Sequence, residues 1–114
     1  MICTAGLNRI TSLISADLVD GRAGTGTTLP TIADTDLETV VADTEVDVTA
    51  ITSGTTIAVS HVISSVLGNG SDLTEWQIRI NAEATQLSRV VTAAITKTAA
   101  IEVTKITLFE VFGQ

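Results

Sequence analysis

The 114-residue sequence contains one cysteine, Cys3, so no disulfide can form within the chain. It has no tyrosine, one tryptophan and two phenylalanines, whereas a sugar-binding platform usually needs several exposed aromatic rings. Its longest apolar run is far shorter than the ~20 residues of a membrane-spanning helix, and no signal-peptide core follows Met1. We therefore expect a protein made in the cytoplasm, without a membrane partner.

Positive charge is also scarce. The sequence has six lysines and arginines and thirteen aspartates and glutamates, which gives a net charge of −7. No lysine or arginine lies between Arg22 and Arg79. A nucleic-acid-binding protein needs a basic patch, so we expect no nucleic-acid partner. The acidity would also suit a protein that works in high salt, and the sequence leaves that alternative open.

The residues that are abundant favour β-structure. Apolar residues make up 45% of the chain and the mean hydropathy is +0.44. Most of this apolar content is valine, isoleucine and alanine, accompanied by many threonines, and β-branched residues of this kind are enriched in strands. The length fits one domain, residues 1–114, with a small but real core.

Two helical features are predicted near the N-terminus. Residues 4–14 form a short amphipathic helix in which Leu7, Ile10 and Leu13 share a face, with Thr4 as the N-cap. A glycine-rich loop at residues 21–29, ended by Pro30, leads into a capping box. In that box the Thr35 hydroxyl would accept from the Glu38 N–H while the Glu38 carboxylate reaches back.

Five strands are predicted after this capped helical turn, two of them joined by a Ser53-Gly54 turn. A loop at residues 68–72 separates the first pair from the rest. The predicted strands span residues 45–52, 55–67, 73–80, 87–95 and 100–112. The expected fold is mainly β: an antiparallel β-sandwich with a short N-terminal helix and a short capped helical turn.

The candidates for catalysis or ligand binding all have simpler structural interpretations. His61, the only histidine, lies on a predicted strand where Ser60 must face the other way, so a catalytic set is not expected. The Gly24-to-Thr28 segment lacks the lysine of a phosphate-binding loop. Trp76 is in phase with Ile78 and is expected in the core, while Gln77 and Arg79 at the alternate positions are expected to face outward.

Two acidic clusters are the remaining candidates for a metal site. Neither has the spacing of a calcium-binding EF-hand loop, and the second alternates as the solvent face of a strand does. We expect no metal or other cofactor, although the sequence does not settle whether a divalent ion binds there. The clusters are Asp34, Asp36 and Glu38, and Asp43, Glu45 and Asp47.

Several short motifs, taken in order, carry a family resemblance. The first is Gly-Thr-Gly-Thr-Thr-Leu-Pro at residues 24–30 followed by Asp-Thr-Asp-Leu at 34–37; later come Leu73-Thr74-Glu75, Arg89 and Thr-Lys-Thr at 96–98. This series resembles the attachment domain near the start of tailed-phage tail-fibre proteins, and small virion proteins of tailed phages and archaeal tailed viruses. In that family Leu-Thr-Glu is followed, after one variable residue, by Gly-Leu-Phe, which this sequence does not keep: residues 77–79 are Gln-Ile-Arg.

The resemblance implies a structural protein of a virus particle, made in the host cytoplasm and placed in the tail, baseplate, neck or head. Its partners would be further copies of itself and other virion proteins. It also implies a structural role for Glu75, for which a buried hydrogen bond to the glycine loop and a plain exposed acid are both open. The alternative function is a soluble β-sandwich module for binding or adhesion; no catalytic residue is assigned in either case.

Apolar periodicity gives an independent reason to expect assembly. The last predicted strand has apolar residues on both faces, with Ile106, Leu108 and Phe112 opposite Val103 and Phe109, and a small sandwich has one interior. We therefore expect a homo-oligomer formed through its late strands. The predicted protein-contact residues are Gly24, Thr25, Gly26, Thr27, Thr28, Leu108 and Phe112.

Overall fold

A computed structural model describes residues 1–112, which form one helix and seven strands in two antiparallel sheets. Sheet A has the order β2-β1-β5-β6, and sheet B has the order β3-β4-β7. The mainly β, antiparallel prediction is confirmed. The elements are α1 (Thr4–Asp17), β1 (Leu18–Gly24), β2 (Val40–Asp47), β3 (Thr49–Ser53), β4 (Thr56–Ile63), β5 (Asp72–Ile80), β6 (Thr85–Thr96) and β7 (Val103–Glu110).

The two sheets pack as an open sandwich around two apolar clusters. One cluster joins Trp76 and Leu73 of sheet A to Ile63 and Val103 of sheet B. The other joins Ile78 of β5 to side chains of β4, with Ile14 of the helix against it. Trp76 and Ile78 therefore face the core as predicted, because side chains two apart on a strand share a face.

Helix α1 exists but covers the core only in part. It runs three residues further than predicted, and Cys3 rather than Thr4 occupies the N-cap, without a side-chain capping bond. Thr11 is its one fully buried residue, and its hydroxyl donates to the Leu7 carbonyl at 2.8 Å. Within residues 1–112 no helix combines the length and apolarity that crossing a membrane requires.

The predicted strand at residues 45–52 is in fact two strands in different sheets. β2 ends at Asp47 and pairs with β1, whereas β3 begins at Thr49 and pairs with β4. The chain therefore passes from one sheet to the other at Val48, which packs on the core. Alternation continues through the crossing, which is why the pattern alone reads as a single strand.

The β3–β4 hairpin is confirmed, with its turn one residue later than predicted, at Gly54 and Thr55. The glycine loop is shorter than predicted, because residues 21–24 complete strand β1. The capped helical turn is absent: the described residues 31–39 contain turns and bends but no helix. Its predicted cap does not form because the Glu38 N–H and carboxylate bond elsewhere, as described next.

Candidate functional site

The most heavily bonded group in the fold is the Glu75 carboxylate, which is completely buried at the start of β5. It accepts backbone N–H bonds from Gly26 at 2.7 Å and from Glu38 and Thr39 at 2.8 Å each. Arg89 Nε of β6 donates to it at 3.0 Å. We call these five residues the Glu75 cluster; they tie segment 25–39 onto the outer face of sheet A.

Glycine is required where the loop meets this carboxylate. A Cβ added at Gly24 would lie 2.6 Å from Glu75 Oε2, and one at Gly26 would lie 2.5 Å from the same oxygen. The neighbouring Thr74 hydroxyl donates to the Gly26 carbonyl at 2.6 Å, so both the N–H and the carbonyl of Gly26 are hydrogen-bonded to side chains of β5. The glycines thus allow the backbone to approach a buried acid closely.

Of the two alternatives for Glu75, the structure shows the buried hydrogen bond to the glycine loop. Burial raises the pKa of the Glu75 carboxyl, but the N–H groups of Thr39, Glu38 and Gly26 and the Arg89 guanidinium outweigh it. The net pKa is therefore below its usual value, since hydrogen bonds to the charged form stabilise that form. Glu75 is a structural anion.

Arg89 extends the cluster to the far end of the loop. Its side chain is 4% exposed, and besides Glu75 it contacts Asp34 Oδ2 at 3.0 Å and the Thr28 carbonyl at 2.9 Å. Burial lowers the pKa of Arg89, but the hydrogen bonds and charges of Glu75 and Asp34 together outweigh it, so the net pKa is raised. One guanidinium therefore links the sheet to both sides of the loop.

Glu38 also bonds to the same loop, through its side-chain carboxylate. Its carboxylate accepts the Thr27 N–H at 3.1 Å and is bonded by the Thr28 hydroxyl. These bonds lower the pKa of Glu38, the hydroxyl of Thr28 having the largest effect. The predicted reach of Glu38 back to Thr35 is therefore wrong: the carboxylate points to the glycine-threonine loop instead.

The rest of the outer face of sheet A continues this polar layer along β5. Arg22 donates from Nε to Gln77 Oε1 at 2.8 Å, and Gln77 donates to Asp36 at 2.9 Å. Further along, Arg79 makes two 2.6 Å bonds to Asp20 and also pairs with Glu45. Gln77 was expected to face solvent but is 1% exposed, because segment 25–39 covers it.

The predicted contact residues fall into two groups. In the loop, Gly24 and Gly26 are buried and serve the internal bonds just described, while Thr27 and Thr28 are exposed. Sequence reasoning missed the most prominent residues there: Leu29 and Ile32 are 77% and 106% exposed. The signal that could have found them is two large apolar residues around a proline in a loop of otherwise small residues.

The second group lies on the outer face of sheet B. Cross-strand rows place Leu108 of β7 beside Ala58 of β4 and Ile51 of β3, with Ile106 in the next row. Ile51, Ile106 and Leu108 are 75%, 57% and 69% exposed. We call Ile51, Ala58, Val62, Ile106 and Leu108 the outer apolar face; Phe112 follows β7 and is also exposed.

His61 is an interior side chain. Its ring is 1% exposed, packs against Gly21 and bonds through Nε2 to the Thr44 carbonyl at 2.9 Å, while Nδ1 has no protein partner. Burial lowers the pKa of His61 more than the bond to Thr44 and the charge of Asp20 raise it. The ring is therefore held neutral between the sheets.

The acidic residues considered for a metal site are dispersed among separate partners. Asp34 contacts Arg89, Asp36 contacts Arg22, and Asp43 accepts the Gly68 N–H at 3.0 Å. Over residues 1–112, no three His, Cys, Asp or Glu side chains are grouped so that they could hold a metal ion.

Most of the motifs that carry the sequence resemblance meet at one place, since Gly26, Thr74, Glu75, Arg89 and Asp34 all belong to or adjoin the Glu75 cluster. The Thr-Lys-Thr motif at 96–98 lies elsewhere, where Lys97 Nζ donates to Asn69 Oδ1 at 2.8 Å. What this arrangement does chemically is fix a loop; its carboxylates are engaged by donors of the chain itself. Comparison of the chain with protein-family models, curated proteins and solved structures finds no match.

Proposed function

We propose that this chain is a non-enzymatic structural protein that works through contacts among several copies, and that its setting is a virus particle. The single observation that supports assembly is the outer apolar face of sheet B. It consists of aligned apolar side chains on three neighbouring strands, and Ile51 and Leu108 are exposed to 75% and 69%. The virus-particle setting, in the tail, baseplate, neck or head, is supported by the motif resemblance.

The outer apolar face is large enough to form the centre of an interface between copies, but not the whole of one. Strand spacing of ~4.8 Å and a rise of ~3.3 Å per residue give three strands of this length a face of roughly 14 by 26 Å. That is at most about 370 Å², less than half of the ~800 Å² that each partner contributes to a standard interface, so surface around the face would have to supply the rest. The five residues of the outer apolar face are uncharged, and Glu110, on the same side of β7, lies at its edge and bonds to the Thr55 and Thr56 hydroxyls, so repulsion between two acidic copies is confined to that edge.

The buried polar groups support a structural role more than a catalytic one. Glu75 already accepts four hydrogen bonds from the chain, and Arg89 is shared among Glu75, Asp34 and the Thr28 carbonyl. A catalytic acid or base needs to reach a substrate proton. These groups reach each other, and the result is a rigid platform for contacts.

Sedimentation of the purified chain tests this proposal. We expect the wild type to sediment as an oligomer at micromolar concentration, and the double variant Leu108→Asp, Phe112→Asp to be a soluble monomer. A matched control, Ala82→Asp with Ala99→Asp, adds the same charge at exposed turn positions and should remain oligomeric. A monomeric wild type would favour the alternative, a β-sandwich module for binding or adhesion.

The setting requires a separate measurement. Mass spectrometry of purified virus particles from the source of the sequence should detect the chain in several copies per particle. Its presence only in the soluble cytoplasmic fraction would contradict the virion proposal without affecting the assembly proposal.

A further inference from the structure

The tip of the braced loop is a second apolar feature, separate from the outer apolar face. We call residues 29–32 the loop tip; it contains Leu29, Pro30, Thr31 and Ile32. Ile32 is 106% exposed and Leu29 is 77% exposed, so both side chains stand in solvent. Such exposure of two large apolar groups on one short tip indicates a contact element.

The loop tip is held in place from both sides. Before it, Arg89 donates to the Thr28 carbonyl at 2.9 Å. After it, Asp34 accepts the Thr31 N–H at 2.9 Å and the Thr31 hydroxyl at 3.0 Å, while contacting Arg89 at 3.0 Å. A contact element fixed in advance loses little conformational entropy when it binds, so this bracing favours association.

The same chain offers a recess of matching chemistry, the end groove, between the end of α1 and the end of β5. Its volume is about 490 Å³, enough for the side chains of the loop tip. Leu13 on its wall is 51% exposed, so this apolar surface is uncovered in the single copy. The lining residues are Leu13, Ile14, Ala16, Asp17 and Ile80.

A loop tip and an end groove of one copy lie on opposite faces of sheet A. The loop is anchored at Glu75, whereas Ile80 shares the core-facing side of β5 with Ile78, because successive side chains alternate. The two positions are also five residues apart on the strand, about 17 Å at ~3.3 Å per residue. The tip therefore meets an end groove only on another molecule.

We propose that the loop tip of one copy inserts Leu29 and Ile32 into the end groove of a second copy. The loop tip has no charge, so the acidic surfaces of the two copies impose little repulsion at the point of insertion. If the contact is made in both directions it closes a two-fold dimer, and if it is made in one direction its repetition produces a ring or a filament. This inference deepens the proposed function by naming a partner surface, and it does not depend on the outer apolar face.

Disulfide trapping between two purified variants tests the contact. In a Cys3→Ser background, one variant has Ile32→Cys and the other has Leu13→Cys with a mass tag. On mixing and mild oxidation we expect the mixed disulfide to exceed both same-variant dimers, well above the statistical ratio. Loss of this excess in a partner that also contains Ile80→Asp would show that the groove is its site.

Other outcomes of the same experiment overturn the inference. Dimers of the Ile32→Cys variant with itself would indicate tip-to-tip contact, and equal trapping by a Leu108→Cys partner would place the tip on the outer apolar face. Statistical trapping throughout would mean that no such contact exists. The failure of this inference and that of the proposed function are separable, because Leu108→Asp tests the outer apolar face without changing tip or groove.

A non-covalent measurement accompanies the trapping. Ile32→Asp should weaken self-association at least tenfold, the effect of removing one well-buried apolar side chain from an interface. Ile32 makes no core contact, so this variant should melt at the wild-type temperature, and Thr35→Asp, at an exposed position of the same segment, is the matched charge control. Unchanged association of Ile32→Asp would contradict the inserted tip.

Discussion

The amide N–H of Gly26 donates to Glu75 Oε2 at 2.7 Å, and a Cβ at position 26 would lie 2.5 Å from that same oxygen. The hydrogen bond and the glycine therefore depend on each other. Any larger residue separates the loop from the carboxylate and leaves a buried charge with one donor fewer, which is costly in a low-dielectric interior.

Gly26→Ala is expected to destabilise the fold by about 3 kcal/mol, because the new methyl group and the Glu75 oxygen cannot occupy the same space. For a domain of this size that lowers the melting temperature by roughly 10 °C or more. Thermal unfolding followed by circular dichroism measures it. Gly6→Ala in helix α1, where a Cβ has its nearest contact at 3.4 Å, is the control and should stabilise. If Gly26→Ala melted at the same temperature as the wild type, the Glu75 cluster would contribute nothing to the stability of the fold.

Glu75→Gln should cost about 3–5 kcal/mol at neutral pH, because it removes the charge opposite Arg89 and turns an N–H₂ group toward N–H donors. The folded-state pKa of Glu75 lies below its usual 4.5, so its contribution is present above pH 4.5 and is lost as the pH falls through the lowered pKa. Urea unfolding at several pH values should therefore show the difference between wild type and Glu75→Gln narrowing in acid. Glu83→Gln, at an exposed turn, is the control; a difference independent of pH would contradict the buried anion.

The burial of His61 leads us to expect a second effect of pH on stability, in a higher pH range than that of Glu75. Its folded-state pKa lies below the usual 6.5, so the unfolded chain binds a proton that the folded chain excludes, and stability falls as the pH drops below 6.5. The slope cannot exceed ~1.4 kcal/mol per pH unit for one proton. His61→Phe, which keeps a ring at the position, should abolish the slope between pH 7 and 5.5. Because His61 is the only histidine, a slope that persists in this variant would exclude it as the cause.

Two substitutions in segment 25–39 distinguish the bonding seen in the structure from the predicted capping box. Thr35 is exposed and has no bond to Glu38, so Thr35→Ala should change the free energy of unfolding by less than ~0.5 kcal/mol. Glu38→Ala removes the acceptor of the Thr27 N–H and Thr28 hydroxyl and should lower the melting temperature clearly. If Thr35→Ala lowered the melting temperature more than Glu38→Ala did, the result would support the predicted capping box instead.

Local patterns predicted the later strands, β4 to β7, well, but they missed β1 and merged β2 with β3. Alternation placed Trp76 and Ile78 in the core, and the two faces of β7 are as expected, with Val103 buried and Leu108 exposed. The turn chemistry of Gly54 gave the β3–β4 hairpin. Each of these depends on neighbours within a few residues, which is the range over which side-chain period and turn propensity act.

Long-range bonding is what the sequence could not predict. The capping box predicted at Thr35 to Glu38 does not form, because the N–H groups of Glu38 and Thr39 donate to the Glu75 carboxylate instead. Glu75 lies 37 and 36 residues further along the chain. Gln77 and Arg79 were expected to face solvent, because no local sequence feature shows that Asp36 of segment 25–39 bonds to Gln77 or that Asp20 and Glu45 pair with Arg79. A usable hint was the placement of Arg22, Arg79 and Arg89, three of only six basic residues, on strands facing acids.

The Glu75 cluster also constrains the order in which the chain becomes structured. Gly26 lies 49 residues before Glu75, and Arg89 lies 14 residues after it. During synthesis, the N–H groups of segment 25–39 therefore bond to Glu75 only after β5 has left the ribosome. Arg89 completes the cluster only after β6 has also left it. Contacts over such separations slow folding, and they keep the loop tip from acquiring its braced shape until the sheet beneath it is complete. Copies still being made thus lack the braced form of one proposed contact surface.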